Sequence, residues 1–274
     1  MNHKLKQQIR HFHLFIDGLV GQIFSNQGTL EKISETPHKK ILPNQFSNFK
    51  YSRTEHFKLF HVLPLHAKQS PATCDLKVYQ DALIYTFILD NIPEGSRLLE
   101  IGGGESRIIN ELKGKYEIWN LDKLEGVGFG PKELIIANGF QLVQDYIGNF
   151  SPSLPNSSFD LVFSVSTIEH IPKDRETIGN AIADIMRLLK PGGFSLHCID
   201  ALLYSDHFFV HPFVSKVFGK NIIDYEEITF EELTNNNQIW LLPAYAFYTR
   251  WFHLVKETMP KFGYPFSINV LWQK

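Results

Sequence analysis

The stretch that decides the fold is Arg97-Leu98-Leu99-Glu100-Ile101-Gly102-Gly103-Gly104-Glu105-Ser106. Its apolar first half predicts a buried β-strand, the three glycines predict a tight loop, and the residues from Glu105 onward predict a helix. Glycine lets a backbone approach a ligand without a Cβ clash, and the first turn of a helix offers free N–H groups. The arrangement is therefore typical of a nucleotide-binding loop.

Strands and helices alternate on both sides of this loop, which predicts an α/β fold with a doubly wound, mostly parallel sheet. The final segment alternates in hydropathy and predicts an antiparallel last strand. The predicted strands cover residues 97–101, 116–121, 141–144, 159–165, 194–199 and 266–272, and the predicted helices cover 78–91 and 174–190.

The residues around the loop distinguish between nucleotide ligands. Asp122 stands 20 positions after Gly102, at the end of the second predicted strand, where a carboxylate can accept both ribose hydroxyl protons. A dinucleotide fingerprint would have glycine at the position of Arg107. Glu100 would repel a pyrophosphate, whereas it suits a ligand that carries an ammonium and a sulfonium. These residues favour S-adenosylmethionine over NAD.

Three segments in this order resemble the motifs of class I S-adenosylmethionine-dependent methyltransferases that act on small molecules. They are Leu98-Leu99-Glu100-Ile101-Gly102-Gly103-Gly104, the "FDLV…EH" segment that runs from Phe159 to Ile171, and the "LKPGG" turn within Arg187-Leu188-Leu189-Lys190-Pro191-Gly192-Gly193. The resemblance covers residues 97–200 and implies a Rossmann-like, seven-stranded sheet, a methyltransferase activity and S-adenosylmethionine as cofactor.

The resemblance also implies roles for matching positions. The glycines would lie against the amino-acid part of the cofactor, and Asp122 would hold the ribose. Asp145 would bond the adenine amine, Tyr146 would offer its backbone N–H to the ring, and two serines after strand four would border the methionine portion. The complete candidate cofactor-binding set is Glu100, Gly102, Gly103, Gly104, Asp122, Asp145, Tyr146, Ser164 and Ser166.

A hydroxyl or protonated amine acceptor needs a base in addition to correct positioning. Histidine is suited by its pKa, and His170 leads because it follows the fourth strand, next to the expected position of the methyl group. Asp200, at the end of strand five, remains open, as do His197, His207 and His211. No ligand spacing predicts a metal site.

The chain divides into an N-terminal extension over 1–76 and a methyltransferase domain over 77–274. In the extension, an apolar stripe over 4–24 predicts an amphipathic helix that serves as a lid or as a contact in a homodimer. Within the domain, residues 201–258 are rich in aromatic and histidine side chains. They interrupt the α/β alternation, and we expect them to cover the acceptor site.

Composition narrows the functional class. The 274 residues carry a formal net charge of −2 and only two cysteines, so neither a nucleic-acid partner nor a disulfide framework is expected. Without a long apolar run, we expect a cytoplasmic protein with no membrane span.

The predicted function is methyl transfer to an oxygen, nitrogen or carbon atom of a small or medium-sized acceptor. One alternative is an aminopropyl-transferase-like enzyme on the same fold, although the sequence shows no acidic cluster near strand four. Another is a non-catalytic cofactor-binding protein. The last is a dehydrogenase, which Glu100 and Arg107 disfavour.

Overall fold

The computed structural model describes residues 40–61, 64–66, 69–126, 130–132, 139–218 and 228–274. The amphipathic helix predicted over 4–24 lies outside the described residues. Within them, seven strands form one sheet in the order β3-β2-β1-β4-β5-β6, with β7 paired to β5. The strands are β1 (Arg97–Ile101), β2 (Glu117–Leu121), β3 (Gln141–Val143), β4 (Phe159–Val165), β5 (Leu189–Leu203), β6 (Phe208–Phe209) and β7 (Tyr264–Gln273).

Helices flank the sheet and fill its connections. The long helix α1 (Leu76–Asn91) precedes the glycine loop. At its start, the backbone N–H of Lys77 donates a hydrogen bond to the side chain of the N-cap residue Asp75. The other α-helices are α2 (Arg107–Leu112), α3 (Arg175–Leu188), α4 (Phe213–Phe218), α5 (Phe230–Asn235), α6 (Ala244–Ala246), α7 (Phe252–Val255) and α8 (Met259–Phe262), with a π-helical turn over Phe247–Trp251 between α6 and α7.

The pairing confirms the predicted Rossmann-like, doubly wound and mostly parallel sheet. Strands β1 to β5 run parallel to one another, whereas β6 and β7 run antiparallel to β5. The strand order reverses between β1 and β4, so the loops after these two strands diverge and leave a crevice at their carboxyl ends. Ligands bind at this switch point in open α/β sheets.

Strand β5 is longer than the sequence predicts. It pairs with β7 over ten positions, from Phe194 opposite Gln273 to Leu203 opposite Tyr264. This continuous ladder extends β5 past Ile199, where the predicted strand stops, and through Asp200 to Leu203. The carboxyl end of β5 therefore projects over the crevice beside the end of β4.

The described part of the predicted extension shares the core of the sheet domain. Buried rings of residues 40–61, including Phe46, Phe49 and Phe57, belong to the same apolar cluster as α1. Two backbone hydrogen bonds join this segment to β7. The N–H of Ser52 donates to the Ser267 carbonyl (2.9 Å), and the N–H of Asn269 donates to the Lys50 carbonyl (2.9 Å). Residues 40–61 therefore stabilise the sheet domain and do not form a separate unit.

None of the described helices has the length and apolar composition that crossing a membrane requires.

Candidate active site

The glycine loop connects β1 to α2, and its backbone conformation requires glycine at two positions. Gly102 and Gly104 have φ values of +67° and +49°, a region that side chains disfavour. A Cβ at position 102 would lie 2.2 Å from Cγ2 of Thr167. The loop from β1 thus packs directly on the loop from β4, so the glycine that the sequence assigns to ligand approach also permits contact within the protein.

Two side chains at the end of β2 hold the loop in place. The backbone N–H of Gly103 donates to Oδ1 of Asn120 at 3.1 Å, and Nδ2 of Asn120 donates to the Gly104 carbonyl at 3.0 Å. Asp122 accepts from the Gly104 N–H at 2.8 Å and, through its other oxygen, from the Leu124 N–H at 2.7 Å. Each carboxylate oxygen has further lone pairs, so Asp122 can hold the loop and still accept ribose hydroxyls.

Asp122 holds the glycine loop and is also predicted to bind the ribose, so its substitution should affect both stability and cofactor binding. Asp122→Ala should lower both cofactor affinity and the free energy of unfolding by about 1.5–3 kcal/mol each, because hydrogen bonds to a charged group contribute that much. Titration calorimetry with S-adenosylhomocysteine and urea unfolding measure the two effects. The matched control is Asp206→Asn, at an exposed carboxyl outside the loop. Unchanged affinity in Asp122→Ala would remove this residue from the site.

Glu100 is buried directly below the loop. The residue is 3% exposed, and its Oε2 atom meets no hydrogen-bond partner. Burial raises the pKa of its carboxyl to about 8, an effect that the hydrogen bond from Ser106 only partly offsets. An unpartnered buried carboxyl oxygen is costly, and a cation bound above the loop would stabilise its ionised form.

Arg107, at the position where a dinucleotide loop has glycine, belongs to a buried ion network. Its Nη2 atom donates to Oδ1 of Asp81 at 3.1 Å, and its Nε atom donates to Oδ2. His66 Nε2 lies 2.9 Å from the same Oδ2 atom. Burial raises the pKa of Asp81, but the bonds from His66 and Arg107 outweigh it and hold that pKa below its ordinary value. The network ties α1, α2 and the His66 segment together beside Glu100.

Two adjoining cavities open at the switch point. The first, the glycine-loop cavity, has a volume of about 690 Å³ and includes Glu100, Asp81 and Arg107 in its lining. The second, the strand-end cavity, has a volume of about 880 Å³ and extends from Asp122 and Asp145 to the ends of β4 and β5. Both cavities share four lining residues, namely Lys77, Gly102, Gly130 and Pro131.

The proposed adenine end differs from the sequence-based expectation at Tyr146. Asp145 and Tyr146 both line the strand-end cavity. However, the backbone N–H of Tyr146 donates to Oδ1 of Asp145 at 2.8 Å, and Nδ2 of Asn149 donates to the same atom at 2.7 Å. The Tyr146 N–H is therefore paired with the Asp145 side chain in this structure, and the phenol ring is exposed.

The structure corrects the assignment of Ser164, while Ser166 does line the strand-end cavity. Ser164 is fully buried and lies 2.7 Å from Nδ1 of His197, which faces it across the β4–β5 register. Nε2 of His197 lies 2.8 Å from Ser195. Ser164 and His197 thus form a polar pair inside the sheet packing, and neither lines the two cavities.

Among the candidate histidines, His170 lines a cavity, and Asp200 lines the same one. Burial lowers the pKa of His197 to about 3, and this ring is enclosed. His211 is also fully buried, with its Nε2 atom 3.1 Å from the Ile171 carbonyl. His207 is exposed and pairs with Asp206. His170 lines the strand-end cavity, and partial burial lowers its pKa, which keeps the ring neutral and able to accept a proton.

Two carboxyl groups that the sequence does not bring together meet at the same wall as His170. Oδ1 of Asp200 accepts from Nε2 of Gln80 at 2.8 Å and lies 2.8 Å from the Ser166 hydroxyl. Both carboxyl oxygens of Glu169 are enclosed without a hydrogen-bond partner. Burial, and then the charge of Asp200, raise the pKa of Glu169 well above its ordinary value, and burial likewise raises the pKa of Asp200.

Part of the 201–258 region lines the strand-end cavity. The lining includes five residues of this region, namely Leu202, Phe209, Trp251, Leu254 and Val255, and also Phe262, which follows the region in the chain. Other aromatic residues of the region are core: Phe213 and Phe247 are fully buried, and Trp240 stacks on Tyr79 at a centroid distance of 5.8 Å. A count of aromatic residues therefore overstates the number that can reach an acceptor.

Sequence reasoning missed the site residues on α1. Lys77, Gln80 and Asp81 all face the site, although their helix is otherwise almost entirely apolar. Their spacing of three and four residues places them on one helix face, which was the available signal. In a helix flanked by core on other sides, a polar stripe of this kind indicates a functional or buried polar surface.

Residues 99–196 match the family model described as "Methyltransferase domain". No curated protein matches this chain significantly. Solved structures with a similar region include phosphoethanolamine N-methyltransferase 2 from Haemonchus contortus in complex with S-adenosyl-L-methionine, at 19% identity over 54% of this chain and 34% of that one, with a TM-score of 0.37. Another is a TehB-like SAM-dependent methyltransferase from Corynebacterium glutamicum, at 20% identity over 39% and 56% of the two chains, with a TM-score of 0.31.

An arsenic(III) S-adenosylmethionine methyltransferase from Chlamydomonas reinhardtii is a third, at 21% identity over 40% of this chain and 41% of that one, with a TM-score of 0.29. The chain thus spans between about a third and just over half of the length of these three proteins. The family match runs from within β1 to the middle of β5, a stretch that contains the glycine loop, Asp122 and Asp145. Residues 99–196 therefore have the sequence pattern of a methyltransferase domain.

Proposed function

We propose that this protein transfers the methyl group of S-adenosylmethionine to a small or medium-sized acceptor bound at the apolar end of the strand-end cavity. The observation that carries the proposal is the continuity of this cavity from Asp122 and Asp145 to His170 and Asp200. A cofactor held at one end would face an acceptor held at the other. The cavity volume of about 880 Å³ falls within the range for sites that bind small molecules.

The residues present fit this cofactor. Glu100, with its unpartnered buried oxygen, suits the ammonium of the amino-acid part, and Arg107 and Lys77 line the same cavity and suit its carboxylate. Asp122 suits the ribose, and Asp145 suits the adenine. When bound, S-adenosylmethionine supplies the methyl group, whose carbon–sulfur bond breaks as the acceptor's lone pair forms the new bond and the electron pair stays on sulfur.

The protein's own residues supply position and proton acceptance. Phe209, Trp251 and Val255 exclude water from one wall and hold an apolar part of the acceptor. His170, whose pKa burial lowers, accepts a proton from the acceptor's hydroxyl as it attacks, or from its ammonium before the freed nitrogen lone pair attacks. The nearby charge of Asp200, which raises the pKa of His170, stabilises the imidazolium that results. In-line attack depends chiefly on such positioning.

Thermal unfolding in the presence of candidate ligands tests this proposal. We expect S-adenosylhomocysteine to stabilise the fold by about 2.7 kcal/mol at a hundredfold excess over its dissociation constant. Decarboxylated S-adenosylmethionine should bind more weakly, because it cannot use Arg107 or Lys77. NAD should have no effect. A shift with NAD alone would contradict the cofactor assignment, and preference for the decarboxylated ligand would favour the aminopropyl-transferase alternative.

A proton balance provides a second prediction. With a pKa of about 8, Glu100 is protonated in most unliganded molecules at pH 7. An ammonium bound beside it favours the ionised form, so cofactor binding should release close to one proton at pH 7. Calorimetry in buffers with different ionisation enthalpies measures this number. Glu100→Gln should abolish the release and weaken binding, and a wild-type release near zero at pH 7 would exclude Glu100 as the ammonium partner.

A further inference from the structure

The wall formed by the ends of β4 and β5 carries two acidic side chains. Asp200 and Glu169 both line the strand-end cavity there. Lys77 is near enough to lower the pKa of both carboxyls, yet the pKa of each remains raised. Lys123, the other lysine of the cavity lining, lies at the far end, 5.7 Å from the centre of the Tyr146 ring. Lys77 is thus the one lysine of the described cavity lining near these two carboxyl groups, and the ammonium of Lys173 lies outside the lining, 4.4 Å from the centre of the Phe209 ring.

The geometry around Asp200 holds one of its oxygens and leaves the other free for a ligand. Oδ1 accepts from Nε2 of Gln80 and lies 2.8 Å from the Ser166 hydroxyl, which itself lies 2.6 Å from Oε1 of Gln80, whereas no described residue donates to Oδ2. Ser166 has a φ of +46°, a conformation that non-glycine residues adopt at a cost and that clusters at functional sites. This turn directs the Ser166 hydroxyl toward Asp200 immediately after β4 ends. The strained backbone at Ser166 thus places its hydroxyl beside the Asp200 carboxyl that faces the cavity.

Glu169 provides an independent indication of a ligand. Both of its carboxyl oxygens are enclosed, and neither has a hydrogen-bond partner. A buried carboxyl without a partner is destabilising, and Glu169 lines the same cavity as Asp200. Opposite charge from a ligand would relieve that cost. Within the described residues no group of three metal-ligating side chains exists, so an organic cation fits better than a metal ion.

We propose that the methyl acceptor is an apolar or aromatic amine, which binds as an ammonium against Asp200 with its apolar part against Phe209, Trp251 and Phe262. Glu169 adds a second carboxyl group to the same wall, and a bound cation would favour its ionised form. Aromatic rings beside carboxylates are a common environment for ammonium groups. The ammonium passes one proton to His170, and the nitrogen lone pair becomes available for methylation. A carboxylate acceptor would be repelled, and a neutral alcohol would leave the charge at this wall unbalanced.

This inference rests on the proposed function, so its test first saturates the protein with S-adenosylhomocysteine. Butylamine, 2-phenylethylamine and tryptamine are then titrated at pH 7.5, each beside the alcohol with the same carbon skeleton, and 3-phenylpropionate serves as the anionic probe. We expect at least one amine to bind about tenfold more tightly than its alcohol, as a charge-assisted hydrogen bond provides. With labelled S-adenosylmethionine, mass spectrometry should find the N-methyl product of that amine.

Two variants connect the preference to this wall. Asp200→Asn keeps the shape and should reduce the amine-to-alcohol ratio to about threefold or less, and Glu169→Gln should reduce it by about threefold, because its charge acts from a greater depth. Asp206→Asn, an exposed carboxyl beyond the end of β5, should leave the ratio unchanged. Affinity for S-adenosylhomocysteine reports whether each variant is folded.

The outcomes separate the two proposals. Absence of S-adenosylhomocysteine binding in the wild type overturns the proposed function itself, and this inference with it. Normal cofactor binding with alcohols bound as tightly as amines in every pair, or with no probe bound at all, overturns the amine acceptor alone. The same conclusion follows if folded Asp200→Asn keeps the full preference.

Discussion

His170→Gln should lower kcat for methyl transfer by about 10²–10⁴-fold, the range for loss of a positioned general base. The substitution keeps a polar side chain of similar size at the cavity wall, so affinity for S-adenosylhomocysteine should stay within about twofold. The measurement is turnover of labelled S-adenosylmethionine with the amine that gives product in the panel described above.

The pH dependence of kcat/KM distinguishes a general base at His170 from a residue with only a structural role. Burial lowers the pKa of His170, so the acidic limb of the wild-type kcat/KM profile should lie below the ordinary histidine value of about 6.5. Activity rises with pH as His170 loses its proton, and His170→Gln should lack this limb. The matched control His207→Gln changes an exposed histidine outside both cavities and should retain both the rate and the limb. Full turnover by His170→Gln would transfer the role of base to Asp200.

Gly102→Ala should remove cofactor binding and destabilise the fold by about 2–5 kcal/mol. A left-handed backbone costs an alanine about 1–2 kcal/mol. In addition, the new Cβ would lie 2.2 Å from Cγ2 of Thr167, and relieving such overpacking costs about 1–3 kcal/mol more. Because the displaced loops carry both cofactor-facing and acceptor-facing residues, affinity for S-adenosylhomocysteine should fall by more than tenfold. Urea unfolding and calorimetry measure the two quantities.

Gly192→Ala separates backbone strain from steric clash. Gly192 also has a positive φ, +79°, but a Cβ there meets no atom within 4 Å. This control should therefore show only the backbone cost of about 1–2 kcal/mol and normal cofactor affinity. Equal destabilisation of the two variants would mean that the contact between Gly102 and Thr167 does not constrain the site.

The sequence determined the sheet and the cofactor loop of this protein, because both depend on local patterns. An apolar run followed by glycines predicts the strand and turn from Arg97 to Gly104, and the structure has β1 and its loop at those residues. The bounds of β4 were also predicted correctly. Asp122 follows from a fixed distance along one β-α-β unit. In each case, the residues that specify the feature are near one another in the chain.

Only the tertiary structure decided which side chains share the acceptor wall. Ser164 and Ser166 both follow the pattern of strand four, yet Ser164 pairs with His197 inside the sheet, whereas a left-handed turn at Ser166 points its hydroxyl at Asp200. Glu169 and Asp200 belong to different strand ends and meet only because parallel neighbours place their carboxyl ends at the same edge of the sheet. Periodicity indicates which residues share a face of one strand, but the depth and neighbours of that face depend on the pairing of β5 with β4 and β7.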